Sequence, residues 1–139
     1  MSSDPNCIFC KIIAGDIPSF RLFEDDETFA FMDINPASEG HALVIPKEHA
    51  ADVHAVSDAA IAATVKTAKK IAAAIDQTLN PAGLNLLQCN GPAAAQSVFH
   101  FHMHVLPRSE GDELKLNWGP KPGDMDAIGA VAERIRAKL

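Results

Sequence analysis

The sequence predicts an α+β protein: a mostly antiparallel five-stranded sheet with one long helix and a C-terminal helix. Short apolar runs outnumber helical stretches, several of them adjoin through turns too short for a crossover, and helical periodicity is confined to two stretches. With 139 residues, 47% of them hydrophobic, the chain suits one domain, residues 1–139, able to bury its own core.

Phe20–Glu24 and Thr28–Asp33 flank Asp25-Asp26-Glu27, a tight turn between two strands. His41–Ile45 is the third strand, entered through Pro-Ala-Ser-Glu-Gly and stopped by Pro46, which has no N–H to continue a ladder. Ser57 N-caps a helix running to about Leu79, with Ile61, Val65, Ala68, Ile71, Ile75 and Leu79 on its apolar face. Lys66, Lys69, Lys70 and Asp76 fall elsewhere, and Asn80-Pro81 ends the helix. Leu84–Cys89 and Phe99–Leu106 read as the fourth and fifth strands. After a Gly/Pro-rich stretch, Asp124 caps a last helix expected to bury Ile128, Val131 and Ile135. Its order of acids first and bases last suits the helix dipole.

Composition narrows the function. A formal charge of −6 disfavours holding a polynucleotide by phosphate neutralisation, yet leaves room for a single nucleotide held by a few N–H groups. No stretch approaches the ~20 apolar residues of a membrane span, and MSSDPNCIFC lacks the basic start, apolar run and cleavage site of a signal peptide. A cytoplasmic location is the expectation. Cys7, Cys10 and Cys89 are too few for a disulfide framework.

The chemistry concentrates in HFHMH, where His100, His102 and His104 alternate with apolar residues in a chain of six histidines. On a strand they share one face, about 6.6–6.8 Å apart, while Phe101 and Met103 pack behind. Burying three polar rings without work for them is costly. Either they hold a metal together, or one is a nucleophile and its neighbours do other jobs. Just upstream, NGPAAAQSV offers a turn, an amide (Gln96) and a hydroxyl (Ser97), donors suited to an anionic oxygen. Cys7-Ile8-Phe9-Cys10 is open to three readings: a redox dithiol, two unlinked thiols, or half of a tetrahedral zinc site.

NGPAAAQSVFHFHMHVLPR closely resembles the signature of the histidine triad (HIT) superfamily, His-φ-His-φ-His-φ-φ with φ apolar. FMDINPASEGHALVIPKEH, residues 31–49, is similar to that family's nucleotide segment, and CIFCKIIAGDIPS to the N-terminus of its bacterial, Hint-like branch. The resemblance runs from Cys7 to about Arg108. It implies hydrolysis or transfer of nucleoside monophosphate groups joined through nitrogen or oxygen, with a purine nucleotide as substrate. It makes His102 the nucleophile of a covalent nucleotidyl-histidine, with Nδ1–H held by a backbone carbonyl. His104 would contact the phosphoryl oxygens and His41 would stand near the same site, Ser97 would face the leaving group, and Gln96 with the neighbouring backbone would stabilise phosphoryl charge. Asp33 would bind the ribose hydroxyls. Phe9, Ile12, Ile17, Phe31 and Ile34 would wall the base pocket, and Asn90 is counted with the nucleotide-binding residues.

The same resemblance assigns Cys7, Cys10, His49 and His100 to a structural zinc ion, closed and therefore a brace. It also implies a homodimer whose sheet continues across the interface. One position departs: Ala95 stands where the family usually has glycine, and its methyl restricts φ > 0. Trp118 lies in a divergent segment and takes no family role. Two other functions compete with a phosphoramidase or nucleotidyl hydrolase: a dinucleoside polyphosphate hydrolase, to which VLPR points, and a nucleotide-binding adaptor. A metalloenzyme holding zinc on all three strand histidines is a further reading, opposed by the two cysteines.

Overall fold

The computed structural model describes residues 2–139. In chain order the elements are α1 (Ile8–Ala14), β1 (Arg21–Glu24), β2 (Thr28–Met32), β3 (Ala42–Pro46), α2 (Asp58–Leu79), β4 (Gly83–Gln88), a 3-10 turn (Pro92–Ala94), β5 (Met103–Arg108) and α3 (Met125–Arg136). The strands form one antiparallel sheet in the order β1-β2-β3-β5-β4, the expected α+β class. Among the described residues, no helix is long and apolar enough to cross a membrane.

Alternation along β2 and β3 divides the interior in two. Phe29, Phe31, Leu43 and Ile45 point to one face and pack with Phe9, Cys10 and Ile12 of α1. Ala30, Ala42 and Val44 point to the other and pack with Ala68, Ile71 and Ile75 of α2. Both central strands are therefore buried on two sides, as their near-continuous apolar sequences allow.

The buried face of α2 is rotated from the expected one. Ala60, Ala63, Thr64, Thr67, Ala68, Ile71 and Ile75 are buried, whereas Val65 and Leu79 are exposed and Ile61 is half-buried. Small side chains let the helix approach the sheet closely, and the two threonines stay satisfied. Thr67 Oγ1 shares a 2.8 Å hydrogen bond with Thr28 Oγ1, and Thr64 Oγ1 donates to Ala60 O. Ser57 caps the helix as expected, accepting from Ala60 N. Asp124 likewise caps α3, but Ile128, Val131 and Ile135 are about half exposed instead of buried, because nothing among the described residues covers that face.

Two other departures bear on the site. The helix α1 has no counterpart among the expected elements: it is only seven residues long, with the Cys7 sulfur accepting from Cys10 N at its start and Gly15 in the left-handed conformation (φ +83°) at its end. The fifth strand begins at Met103, not Phe99, so His100 and His102 precede it. Its pairing with β3 ends at Val44↔Met103. Beyond that point Phe101 N instead donates to Ala50 O, in the loop after β3, at 2.7 Å.

Candidate active site

Between α1 and the sheet lies a cavity of about 340 Å³, walled by Phe9, Ile12, Ile17, Phe31, Ile34 and Leu43, with Asp33, Ser97, His102 and His104 at its polar end. Sequence-expected residues from four separate segments meet here. Phe9 and Ile12 come from one face of α1, Phe31 from β2, Asp33 from the residue after it, and His104 from β5. Ile34 is 74% exposed and forms an open rim. Leu43 and Val98 also line the cavity without having been singled out; each is an ordinary apolar residue in sequence.

Hydrogen bonds fix the tautomers of three histidines. His102, 4% exposed, donates Nδ1–H to the carbonyl oxygen of His100 at 2.6 Å, so Nε2 keeps its lone pair. Ala37 N–H donates to His41 Nδ1 at 3.0 Å, which puts the His41 proton on Nε2. That proton is donated to His104 Nδ1 at 2.9 Å, leaving His104 with N–H at Nε2 in a ring that borders the cavity. Asp33 Oδ2 lies 3.5 Å from His41 Nε2.

Burial also keeps these rings neutral. It pushes His104 down to about 4, helped by the neighbouring His102 and His41, and lowers His41 against the pull of Asp33. His102 is lowered by burial too, partly offset by its bond to His100. An uncharged imidazole with a free Nε2 is a nucleophile near neutral pH.

Asp33, His41 and His104 are close enough for a cation on distance alone. The tautomers argue otherwise. His41 Nε2 carries the proton because Nδ1 already accepts from Ala37, so the nitrogen facing the group has no lone pair for a metal.

The second cluster does fit a metal. Cys7, Cys10, His49 and His100 bring two sulfurs and two nitrogens within 4.8 Å of one another. Cys7 Sγ is 3.4 Å from His100 Nδ1, Cys10 Sγ is 3.4 Å from His49 Nδ1 and 3.6 Å from His100 Nδ1, and the two Nδ1 atoms are 3.2 Å apart. A tetrahedral zinc ion with ordinary bond lengths needs edges of about 3.6 Å (S to N) and about 3.3 Å (N to N). His100 Nε2–H donates to Pro46 O at 2.8 Å, so Nδ1 presents its lone pair to the cluster. Burial pushes the Cys7 thiol up, a cost that a cation among these donors removes.

Three residues expected at the nucleotide site lie outside the cavity lining: His41, which meets it through His104, and two residues of the loop before β5. Gln96 is buried, with its amide donating to Ala51 O and Val98 O and accepting from Gly91 N. It clips the loop and has no side-chain donor left for a phosphate. Asn90 accepts from Val53 N and exchanges hydrogen bonds with Gln88, which spends it in the same loop. The functional atoms that side-chain reasoning could not reach are backbone ones: His100 O, Pro46 O and Ala37 N.

Ala95, in the same loop, has φ +68° and ψ +22°, a left-handed conformation that glycine adopts without penalty. Ala95→Gly is expected to stabilise the chain by up to about 1 kcal/mol, after the entropy of an unfolded glycine is deducted. Urea unfolding of both proteins checks this, and a lower midpoint for the glycine variant would refute it.

Similarity to known proteins agrees with this arrangement. A family model described as the HIT domain matches residues 14–111. The Protein hit of Bacillus subtilis is 45% identical over 137 residues, covering 94% of this chain and 94% of that protein. The adenosine 5′-monophosphoramidase hnt1 of Schizosaccharomyces pombe is 44% identical over 135 residues, covering 96% and 98%. Among solved structures, SMU.412c of Streptococcus mutans superimposes with a TM-score of 0.93 at 39% identity, covering 98% of this chain and 87% of that one. A zinc-bound histidine triad family protein from Mycobacterium smegmatis gives 0.75 at 34% identity, covering 96% and 98%.

Proposed function

The chain belongs to the HIT family, and on that premise we propose that it is a nucleotide phosphoramidase, releasing a nucleoside monophosphate from a nitrogen- or oxygen-linked leaving group. The observation that carries this reading is His102, whose Nδ1–H is tied to His100 O while Nε2 is left with its lone pair beside the cavity. The reading is supported by relatives named adenosine 5′-monophosphoramidase in three yeasts, 39–44% identical.

The nucleoside enters with its base between Phe9, Ile12, Ile17, Phe31 and Ile34 and its ribose hydroxyls on Asp33. His102 Nε2 attacks the α-phosphorus, and the bond to the leaving group breaks as the new N–P bond forms. The array from Ala37 N–H through His41 to His104 orients a donor toward the phosphoryl oxygens, where charge builds in the transition state. Ser97, exposed at the rim, sets a hydroxyl toward the leaving group. Water then attacks phosphorus, releasing the nucleotide and restoring His102.

Zinc at Cys7, Cys10, His49 and His100 supplies positive charge for the thiolates and a four-point tether. With all four positions taken by protein a bound ion would have no open site for water, and its part would be structural.

We place the homodimer expected for the family at β4, an outer strand of the sheet whose Leu86 is 42% exposed. Leu86→Lys is expected to shift the protein toward monomer in sedimentation; a wild-type monomer would sink the assignment.

The function itself is tested by single-turnover reaction with labelled adenosine phosphoramidate, followed by peptide mapping. An acid-labile label on His102 is the expected result, and robust turnover without any covalent adduct would overturn the mechanism.

A further inference from the structure

We propose that the metal site and the nucleotide pocket form one thermodynamic unit: filling the Cys7–Cys10–His49–His100 site tightens nucleotide binding, and bound nucleotide tightens metal binding in return. The proposal rests on the nucleotide reading given above, and it concerns how that pocket is held together.

Two connections join the sites. The first is Phe9, which sits between the two cysteines on the opening turn of α1 and is 6% exposed. Its ring meets His102 edge-to-face with centroids 5.2 Å apart, His100 at 5.9 Å and Phe31 at 5.4 Å, while also lining the cavity. Any displacement of Cys10 therefore moves a pocket wall that touches the nucleophile. The second is His100. Its ring faces the thiols through Nδ1, and its own carbonyl holds the Nδ1–H of His102. One residue thus meets the metal with its side chain and sets the nucleophile's tautomer with its backbone.

The connection is local because of how the interior is divided. A seven-residue helix is far below the length at which a helix is stable by itself. Without a cation, α1 depends on Phe9, Cys10 and Ile12 against β2 and β3 and on the Ser2–His49 hydrogen bonds. The opposite core, between the sheet and α2, shares no residue with that cluster. Loss of the ion therefore loosens the pocket side and leaves the α2 side standing.

The test uses the full chain with AMP and zinc as probes. Calorimetric titration of AMP into the zinc-loaded and metal-free proteins is expected to give at least about tenfold weaker binding without metal. Chelator competition for zinc, with and without saturating AMP, must shift by the same factor, since coupling of this kind is reciprocal. Hydrogen exchange of the metal-free chain should show protection lost in residues 7–14 and kept in β2, β3, β5 and α2. Phe9→Ala should still bind zinc while the coupling factor shrinks toward one. Equal AMP affinity with and without zinc overturns the coupling and leaves the nucleotide reading intact. Failure of the zinc-loaded chain to bind AMP overturns the nucleotide reading, and the coupling with it. Global loss of protection in the metal-free chain overturns the coupling as a local connection through α1.

Discussion

His102→Ala is expected to lower single-turnover cleavage of adenosine phosphoramidate by at least about 10⁴-fold, with AMP affinity within roughly threefold of wild type. The first half follows from geometry: His102 is the ring beside the cavity whose Nδ1–H is committed to a backbone carbonyl and whose Nε2 is therefore an available nucleophile. His104 cannot take its place readily, because its Nδ1 accepts from His41 and its Nε2 carries the proton. The second half follows from where the nucleoside is held. The apolar walls and Asp33 belong to other segments, and of those walls Phe9 is the one whose ring meets the imidazole edge-to-face. Quench-flow with radiolabelled substrate gives the rate and calorimetry the affinity; turnover near the wild-type rate would falsify the nucleophile assignment.

Cys7→Ser/Cys10→Ser is expected to take zinc content from about one per chain to none and to lower the thermal midpoint by about 10 °C. Serine preserves the shape at residue 7 and an acceptor for Cys10 N, so the variant removes metal affinity more than helix capping. The loss is amplified by position. Cys7 and Cys10 are buried in the apolar cluster with Phe9, Phe29 and Ile45, where two hydroxyls that no metal engages are expensive. Elemental analysis of wild-type protein purified without chelator settles the premise: absence of zinc there would count against the ligand set.

Much of this architecture could be read from residues alone, and the parts that could not share a physical reason. The caps at Ser57 and Asp124 are short-range chemistry between a side chain and the next turn, so they were legible. So were β2 and β3 as strands, short apolar runs bounded by turn signals and a proline. The seven residues of α1 carry too few turns for a periodic signal. The true start of β5 was hidden because Phe99–His102 alternate like a strand, yet Phe101 N donates to Ala50 in the loop after β3 and His100 O accepts from the His102 ring. Composition suggested Gln96 as a phosphate donor, yet only coordinates reveal that the loop has already consumed its amide. The exposed faces of α2 and α3 differ from expectation for the complementary reason. Periodicity locates an apolar stripe without saying whether the same chain covers it.

The division of the interior by the sheet has a consequence for how such a protein can diversify. Substitutions at Ile12, Ile17 or Ile34 reshape what the cavity admits, and they do so on the far side of β2 and β3 from the packing of Ala68, Ile71 and Ile75. Changes under α2 should move heat tolerance with little effect on choice of substrate. Descendants of one ancestor could therefore drift in specificity and in growth temperature along nearly independent axes, each recorded on its own side of the same five strands.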